Sequence, residues 1–340
     1  MKAFAQKIKD MLETRKQQLA TKKRNNDGFT LLELLVVVAI LAAIAGTATI
    51  ALKDTDARAS AAAHVTMMDE LNKGISTYRV LKRNELPNRF DSLLVSVDDA
   101  AATAAGAEGP LETLGFEVEA VGTAGDAVWM AIPEDVQVSM FAAGIEELRY
   151  IDETALPEDG VAGTLDCDND HIRALINSRT NAVVAGNVFM SPEANGCGYS
   201  AVLWDGETGT SNVRNGVWWA GGGERLTGQT DKLADGTEAV EFDGSNLATA
   251  TGHAYLLTGV GPSSTLFDAN TLGGMTTVPV YRHVKPDEYN RFIAVWNVGD
   301  FDGTGGITPG AQPELVAIVD GALDTKEEEL GEWDGTRNTI

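Results

Sequence analysis

The chain is short of the residue types on which most catalytic and metal sites depend. It has two cysteines and four histidines in 340 residues, and no two histidines have the HExxH spacing of a zinc protease. The G-x-S-x-G turn of serine hydrolases and the lysine-containing phosphate loop are absent from the sequence. These absences argue against an enzyme and favour a structural or binding role.

Positive charge is also scarce and unevenly placed. The chain has 26 Lys/Arg and 50 Asp/Glu residues. Residues 1–28 contain eight of the basic and three of the acidic residues, so the other 312 residues contain 18 basic and 47 acidic residues. Because a surface with this many acidic groups repels phosphate backbones, nucleic acid is not an expected partner. The basic residues of 1–28 directly precede an apolar run, and such a basic flank keeps its side of the run in the cytoplasm.

That apolar run covers residues 29–52, and Glu33 is its only charged residue. As a helix, the run would reach roughly 36 Å, which is enough to cross a bilayer. Three interpretations follow. The segment is a plain membrane anchor, or an ordinary secretory signal cut after Ala43-Ile44-Ala45, or a segment cut at Gly28 that leaves the apolar helix on the mature protein.

Glu33 distinguishes between these interpretations. A carboxylate at mid-membrane depth costs about 2–3 kcal/mol, and neither an anchor nor a discarded signal gains anything from it. Cleavage after Gly28 would instead give Phe29 a positively charged amine near the membrane surface. Glu33 would then pair with the amine of Phe29 in a neighbouring subunit when the helices bundle.

The sequence Gly28-Phe29-Thr30-Leu31-Leu32-Glu33 and the aliphatic run after it resemble the class III leader junction of type IV pilins and type II secretion pseudopilins. The resemblance implies cleavage after Gly28 by prepilin peptidase, N-methylation of Phe29, and Glu33 as the registry residue. It implies other pilin or pseudopilin subunits and a membrane assembly platform as partners. The resemblance also implies that the protein first spans the inner membrane once, with its head outside the cytoplasm. After assembly it would be part of a periplasmic or cell-surface filament.

This resemblance covers about residues 20–55 and has two departures. The leader is long, at 28 residues, and Gly46 stands in the apolar run, where many helices of the family carry a proline. Glycine weakens a helix, so Gly46 is a point of local melting during assembly or a place where helices pack closely.

The helix is expected to continue past the apolar run. Apolar residues recur at spacings of three and four, which predicts an amphipathic helix that ends between Asn84 and Pro87; they are Ala61, Val65, Met68, Leu71, Ile75 and Tyr78. The predicted domains are a cleaved leader at 1–28, a membrane and filament-core helix at 29–52, an amphipathic stalk helix at 53–86, a β-rich head at 87–320 and a mobile acidic tail at 321–340.

The predicted fold class is α+β, a long N-terminal helix that carries a large β-rich globular head. Short β runs are predicted at 116–121, 127–132, 136–141, 181–190, 201–206, 216–221, 254–260, 291–298 and 314–320, and helical stretches at 90–94, 144–150 and 171–178. Since 253 residues follow Pro87, the head is large beside the compact heads of the family. Its size favours a minor or specialised subunit.

Two further sites are candidates. Cys167 and Cys197 lie in the part expected to be exported, where an intramolecular disulfide is the favoured state. Asp300 and Asp302 place carboxylates at alternate positions in a glycine-rich turn, an arrangement that suits a structural Ca²⁺; a solvated acidic turn without an ion is the favoured interpretation. No other cofactor is indicated.

The sequence thus predicts a pilin-like structural subunit that is processed and assembled into a type IV pilus or a type II secretion pseudopilus. The alternative is a membrane-anchored or secreted binding protein with an ordinary signal or anchor segment and no filament.

Overall fold

The computed structural model describes residues 11, 13–14, 31–96, 108–110, 114, 116–152, 198–204, 206, 214–230, 232–233, 236–268, 274–280, 289 and 291–334. The chain divides into two compact units, Met1–Asp56 and Ala57–Ile340. The first unit contains the beginning of a long helix, and the second contains the rest of that helix and a β-sheet.

Helix α1, Leu31–Leu81, has 51 residues and crosses the boundary between the units. In the second unit one face of α1 is buried, and it includes all six residues that the periodicity predicts, Ala61, Val65, Met68, Leu71, Ile75 and Tyr78, together with His64 and Gly74. Ile75 and Tyr78 belong to the main hydrophobic core of the head. The amphipathic pattern therefore predicted both the helix and the side that packs.

The head is built on one β-sheet. Its strands are β1 Phe90–Ser96, β2 Glu108–Pro110, β3 Val118–Ala120, β4 Ala127–Ala131, β5 Glu147–Asp152, β6 Gly198–Val202, β7 Asn215–Trp219, β8 Thr251–Gly259, β9 Ile293–Asp302 and β10 Ile307–Val319. An N-terminal apolar helix followed by a β-rich domain confirms the α+β class.

The strands follow the order β3-β4-β7-β8-β1-β5-β6, with β2 added on β1 and the β9–β10 hairpin added on β8. Pairing is antiparallel except between β1 and β5 and between β3 and β4. The largest buried side chains of this sheet include Trp218, Trp296 and Phe90, and the rings of Phe90 and Trp296 meet edge to face at 5.4 Å. Burial of such aromatic groups dominates the energy of a core.

Three further α-helices are described: α2 Glu134–Ala142, α3 Gly222–Thr227 and α4 Lys326–Asp334. The strand predicted at 136–141 is wrong, because those residues form α2. The helices predicted at 90–94 and 144–150 are also wrong, because these stretches form β1 and most of β5. The stretches 171–178 and 181–190 lie outside the described residues.

The C-terminal segment differs from the mobile tail that its acidic composition predicts. Helix α4 packs on α1, since Lys326 Nζ lies 2.6 Å from Asp69 Oδ1 and Glu329 Oε1 lies 3.6 Å from His64 Nδ1. Glu329 and His64 are each only 2 % exposed. A buried contact of this kind, rather than composition alone, determines whether a charged terminal segment is ordered.

Candidate functional site

The first half of α1 presents an uncovered apolar surface. The stretch Leu31–Thr49 has a mean hydropathy of 2.5 over 19 residues, and none of it is buried in the structure. By length and composition this stretch can cross a membrane. Leu31, Leu32 and Leu35 are 82 %, 70 % and 62 % exposed. In water, so large an apolar area requires a lipid or protein covering.

Glu33 lies in the first turn of α1 and is exposed. Gly28 and Phe29, the predicted cleavage and methylation residues, lie outside the described residues, as do Cys167 and Cys197. Cleavage, methylation and the disulfide therefore stay predictions.

The chain around Gly46 remains helical. A Cβ atom at Gly46 would meet nothing within 4 Å, so the isolated chain has open space there. The hydroxyl of Thr47 donates to the carbonyl of Ile44 at 3.0 Å, and that of Thr49 donates to the carbonyl of Ala45 at 2.8 Å. Such back-bonding satisfies hydroxyl groups inside a membrane helix and often bends it.

The acidic turn between β9 and β10 has hydrogen bonds of its own. Asp302 Oδ1 accepts from the backbone N–H and the hydroxyl of Thr304 and from the N–H of Gly306, at 2.7 to 3.0 Å. These donors, led by the Thr304 hydroxyl, lower the pKa of Asp302. Asp300 Oδ1 lies 2.6 Å from His253 Nδ1. Within the described residues, no three Asp, Glu, His or Cys side chains form a metal-binding group, and the Ca²⁺ site remains a prediction.

A buried polar cluster in the sheet was not predicted. Asp91 on β1 is completely buried and accepts a hydrogen bond of 2.8 Å from the Tyr289 hydroxyl, which is also buried. Burial raises the pKa of Asp91 to about 8, although Tyr289, Arg291 and Arg149 oppose the shift. Burial, and then the charge of Asp91, raise the pKa of Tyr289.

The sequence gives only a weak signal for this cluster. Asp91 stands in the short run FDSLLV, where an acidic residue interrupts apolar side chains, and its partner Tyr289 is 198 positions away. A hydrogen bond between such distant residues depends on the strand order, which local patterns do not determine. Among the described residues no Lys or Arg forms an ion pair with Asp91, and its Oδ1 is buried without a hydrogen-bond partner, so burial of this carboxyl group is a cost to folding.

Comparison with known proteins bears on the N-terminal segment. Residues 23–49 match the family model described as the prokaryotic N-terminal methylation motif. This motif is the class III prepilin leader of type IV pilins and pseudopilins. No curated protein and no solved structure matches the chain. The chain therefore carries a prepilin-type leader, and proteins with this motif are structural rather than enzymatic.

The leader and the helix agree with each other in position. The matched residues end at 49, where the uncovered apolar stretch of α1 also ends. One such helix near the N-terminus fits the single-pass membrane anchor that is typical of pilins.

Proposed function

We propose that this protein is a pilin-like structural subunit that prepilin peptidase cuts after Gly28 and that assembles with other subunits through the first half of α1. The observation that carries the proposal is the coincidence of the methylation motif at residues 23–49 with an apolar helix of which no part is buried. The exposed apolar side chains of this stretch are available to both the membrane and neighbouring helices.

In this proposal Glu33 sets the axial register. Phe29 would carry a new amine after cleavage, and Glu33 lies four residues further along, in the first turn of α1. Pairing of the carboxylate with the amine of a neighbour would neutralise both charges in an apolar surrounding, where an unpaired charge is costly. The basic leader stays in the cytoplasm and the head lies outside it.

The assembly is a type IV pilus or a type II secretion pseudopilus, with this chain as a minor or specialised subunit because of its large head. The sheet and α1 bury the six apolar residues of the stalk face and leave the filament-forming stretch uncovered. A helix with one packed half and one exposed apolar half supports a structural subunit rather than an enzyme.

Mass spectrometry of the mature N-terminus tests the proposal. We expect a chain that begins at methylated Phe29, and we expect Gly28→Val to leave a membrane-retained precursor, since the peptidase needs a minimal side chain before the cut. Asn26→Val, which places the same side chain two positions upstream, is the matched control and should be processed normally. An intact leader would indicate a plain anchor, and a start at Gly46 would indicate an ordinary signal; both would contradict the proposal.

A further inference from the structure

The end of α1 carries positive charges that have no carboxylate partner among the described residues, although Arg79 donates to Asn84 Oδ1 at 2.8 Å and Lys82 lies 5.8 Å from the centre of the Tyr78 ring. We call residues 79–84, with the sequence RVLKRN, the basic turn. Among the described residues, no carboxylate lies within 4 Å of Arg79, Lys82 or Arg83, whereas Arg225 and Lys326 do form ion pairs. Outside the leader, 47 acidic residues face 18 basic ones. The basic turn therefore gathers three cations without a carboxylate partner within five positions of a strongly acidic chain.

The backbone of the basic turn is also unusual. The N–H of Asn84 donates to the carbonyl of Arg79 at 2.7 Å, which is the longer bond of the Schellman motif that closes many helices. Arg83 occupies the left-handed position of the motif with φ 59°. Glycine is usual there because it has no Cβ to clash. An arginine in this position is not what the fold itself favours, and strained backbone of this kind is concentrated at functional sites.

Apolar side chains lie among these cations. Val80 is 82 % exposed and Leu81 is 52 % exposed. A cavity of about 360 Å³ is lined by Ser76, Arg79, Val80 and Asn84. Arginine and uncovered apolar groups around a depression are the composition of a protein–protein contact.

Few acidic residues lie near the basic turn in the sequence, so its positive charge is largely uncompensated. Between Lys73 and Arg89 the chain has five basic residues and one acidic residue, Glu85. Arg89 is already paired, with Glu147 Oε2 at 3.3 Å from its Nε. Across a neighbouring cavity Arg79 faces Asp300 and Glu314, but neither lies within ion-pair distance of it.

We propose that the basic turn binds an acidic surface on the head of a second copy of this chain. Charge complementarity identifies the partner, since each copy presents one positive turn and a strongly negative remainder, so that the turn of one copy attracts the surface of the next. A nucleic acid is a worse partner, because its phosphates would be repelled by the rest of the head. The inference rests on the proposed function in one respect: it requires an assembly in which a second copy of this chain lies beside the first, as it does for a specialised subunit present in several copies.

Zero-length cross-linking of the full chain tests this contact. Isotope-labelled and unlabelled full-length chains are mixed in detergent, reassembled by removal of the detergent, and treated with a carbodiimide, which joins lysine amines to carboxylates in direct contact. We expect mixed-isotope peptides that link Lys82 to an acidic residue. Their yield should fall several-fold at about 1 M salt, where the Debye length is about 3 Å.

The variant Arg79→Gln/Arg83→Gly separates this contact from folding. Glycine suits the left-handed position, so the melting temperature should stay the same or rise, while the yield of mixed-isotope Lys82 peptides should fall at least threefold. Lys232→Gln, which removes an exposed cation from another part of the head, is the matched control and should leave the yield unchanged.

Three results would overturn the proposal. They are cross-links of Lys82 that join only chains of the same isotope, a yield that the double variant does not change, and binding of a short DNA duplex that the double variant abolishes. The N-terminal mass of the same samples is read in parallel. A methylated Phe29 terminus without Lys82 cross-links would contradict this contact alone, whereas an uncut leader would contradict the proposed function.

Discussion

Asp91 is a carboxylic acid at the centre of the sheet, and it makes the stability of the head depend on pH. Its pKa of about 8 in the fold lies above the ordinary value of 3.8. The folded chain therefore holds a proton that the unfolded chain releases, and stability falls as the pH rises from about 4 to about 8. With about 1.4 kcal/mol for each pKa unit, the loss is up to about 6 kcal/mol.

We expect Asp91→Asn to remove most of this pH dependence and to stabilise the head at pH values near 8. Asparagine is isosteric, accepts the hydrogen bond from Tyr289 and does not ionise. Urea unfolding across this pH range measures the effect, and Asp135→Asn, at an exposed carboxylate of α2, is the control. Equal pH slopes for wild type and Asp91→Asn would contradict the assignment of a raised pKa to this group.

Glu33 is the second residue whose environment determines its role. Glu33→Ala should make the single subunit more stable in the membrane by about 2–3 kcal/mol, because a carboxylate is removed from an apolar helix. It should also reduce incorporation into filaments, because the partner of the Phe29 amine is lost. Fractionation of the sheared filament and membrane pools measures both effects, and Glu33→Asp, which keeps the charge, should be less affected. Full incorporation of Glu33→Ala would refute the pairing.

At the scale of elements, α1 and the loop at Gly274 approach so closely that a Cβ atom on either Gly74 or Gly274 would clash with the other segment. A Cβ atom on Gly274 would meet the backbone carbonyl of Gly74, whereas one on Gly74 would meet the flexible end of Met275. Gly274→Ala should therefore destabilise the head by about 1–3 kcal/mol. Gly74→Ala should cost less, since Met275 can move and alanine favours the helix by about 1 kcal/mol. Thermal unfolding compares the two, and the reverse order would contradict the packing.

The contact between α4 and α1 gives a second matched pair. Lys326 and Asp69 are about 40 % exposed, and an ion pair of that kind contributes at most about 1 kcal/mol. Glu329 is buried against His64, and loss of a buried polar partner costs about 1–3 kcal/mol. Glu329→Ala should therefore lower the melting temperature more than Lys326→Ala does. Equal effects would mean that α4 contributes little through this contact.

The elements also show how far the sequence alone can predict this fold. The buried face of α1 was predicted residue by residue, because a helix with one buried side repeats apolar residues every three or four positions. The strands β1 and β5 were predicted as helices, because most of their described side chains are buried and neither strand shows a clear alternation of polar and apolar positions. Helix α2 was predicted as a strand, although Pro133 and the acidic residues Glu134 and Asp135 form a typical helix start.

The candidate sites, like the elements, include some that local sequence predicts and some that it does not. The leader motif is a contiguous pattern, so local sequence was sufficient to predict it, and the match to residues 23–49 confirms it. The Asp91 cluster and the unpaired cations of the basic turn depend on which distant residues the sheet brings close. Only the folded structure reveals that Tyr289 reaches Asp91 and that no carboxylate of the described residues lies within 4 Å of Arg83 or Lys82.

At the scale of the whole molecule, apolar exposure and charge are separated along the chain. Most of the exposed large aliphatic side chains lie between Leu31 and Ile44, and the basic leader precedes them. Residues 53–340 retain all 18 basic residues that follow the leader and 46 of the 47 acidic ones. A net charge far from zero favours solubility, so the part that would cause aggregation is also the part that can be removed.

A fragment that begins at Lys53 should therefore be folded and soluble without detergent. It keeps the part of α1 whose Met68, Leu71, Ile75 and Tyr78 cover the core of the sheet. A fragment that begins at Lys82 lacks that cover and exposes the underlying core, so it should aggregate even though it is no more apolar in composition. Light scattering and circular dichroism of the two fragments give the comparison. A soluble, cooperatively folded fragment from Lys82 would show that the second half of α1 is dispensable for the head, and aggregation of the fragment from Lys53 would show that the head needs the apolar segment.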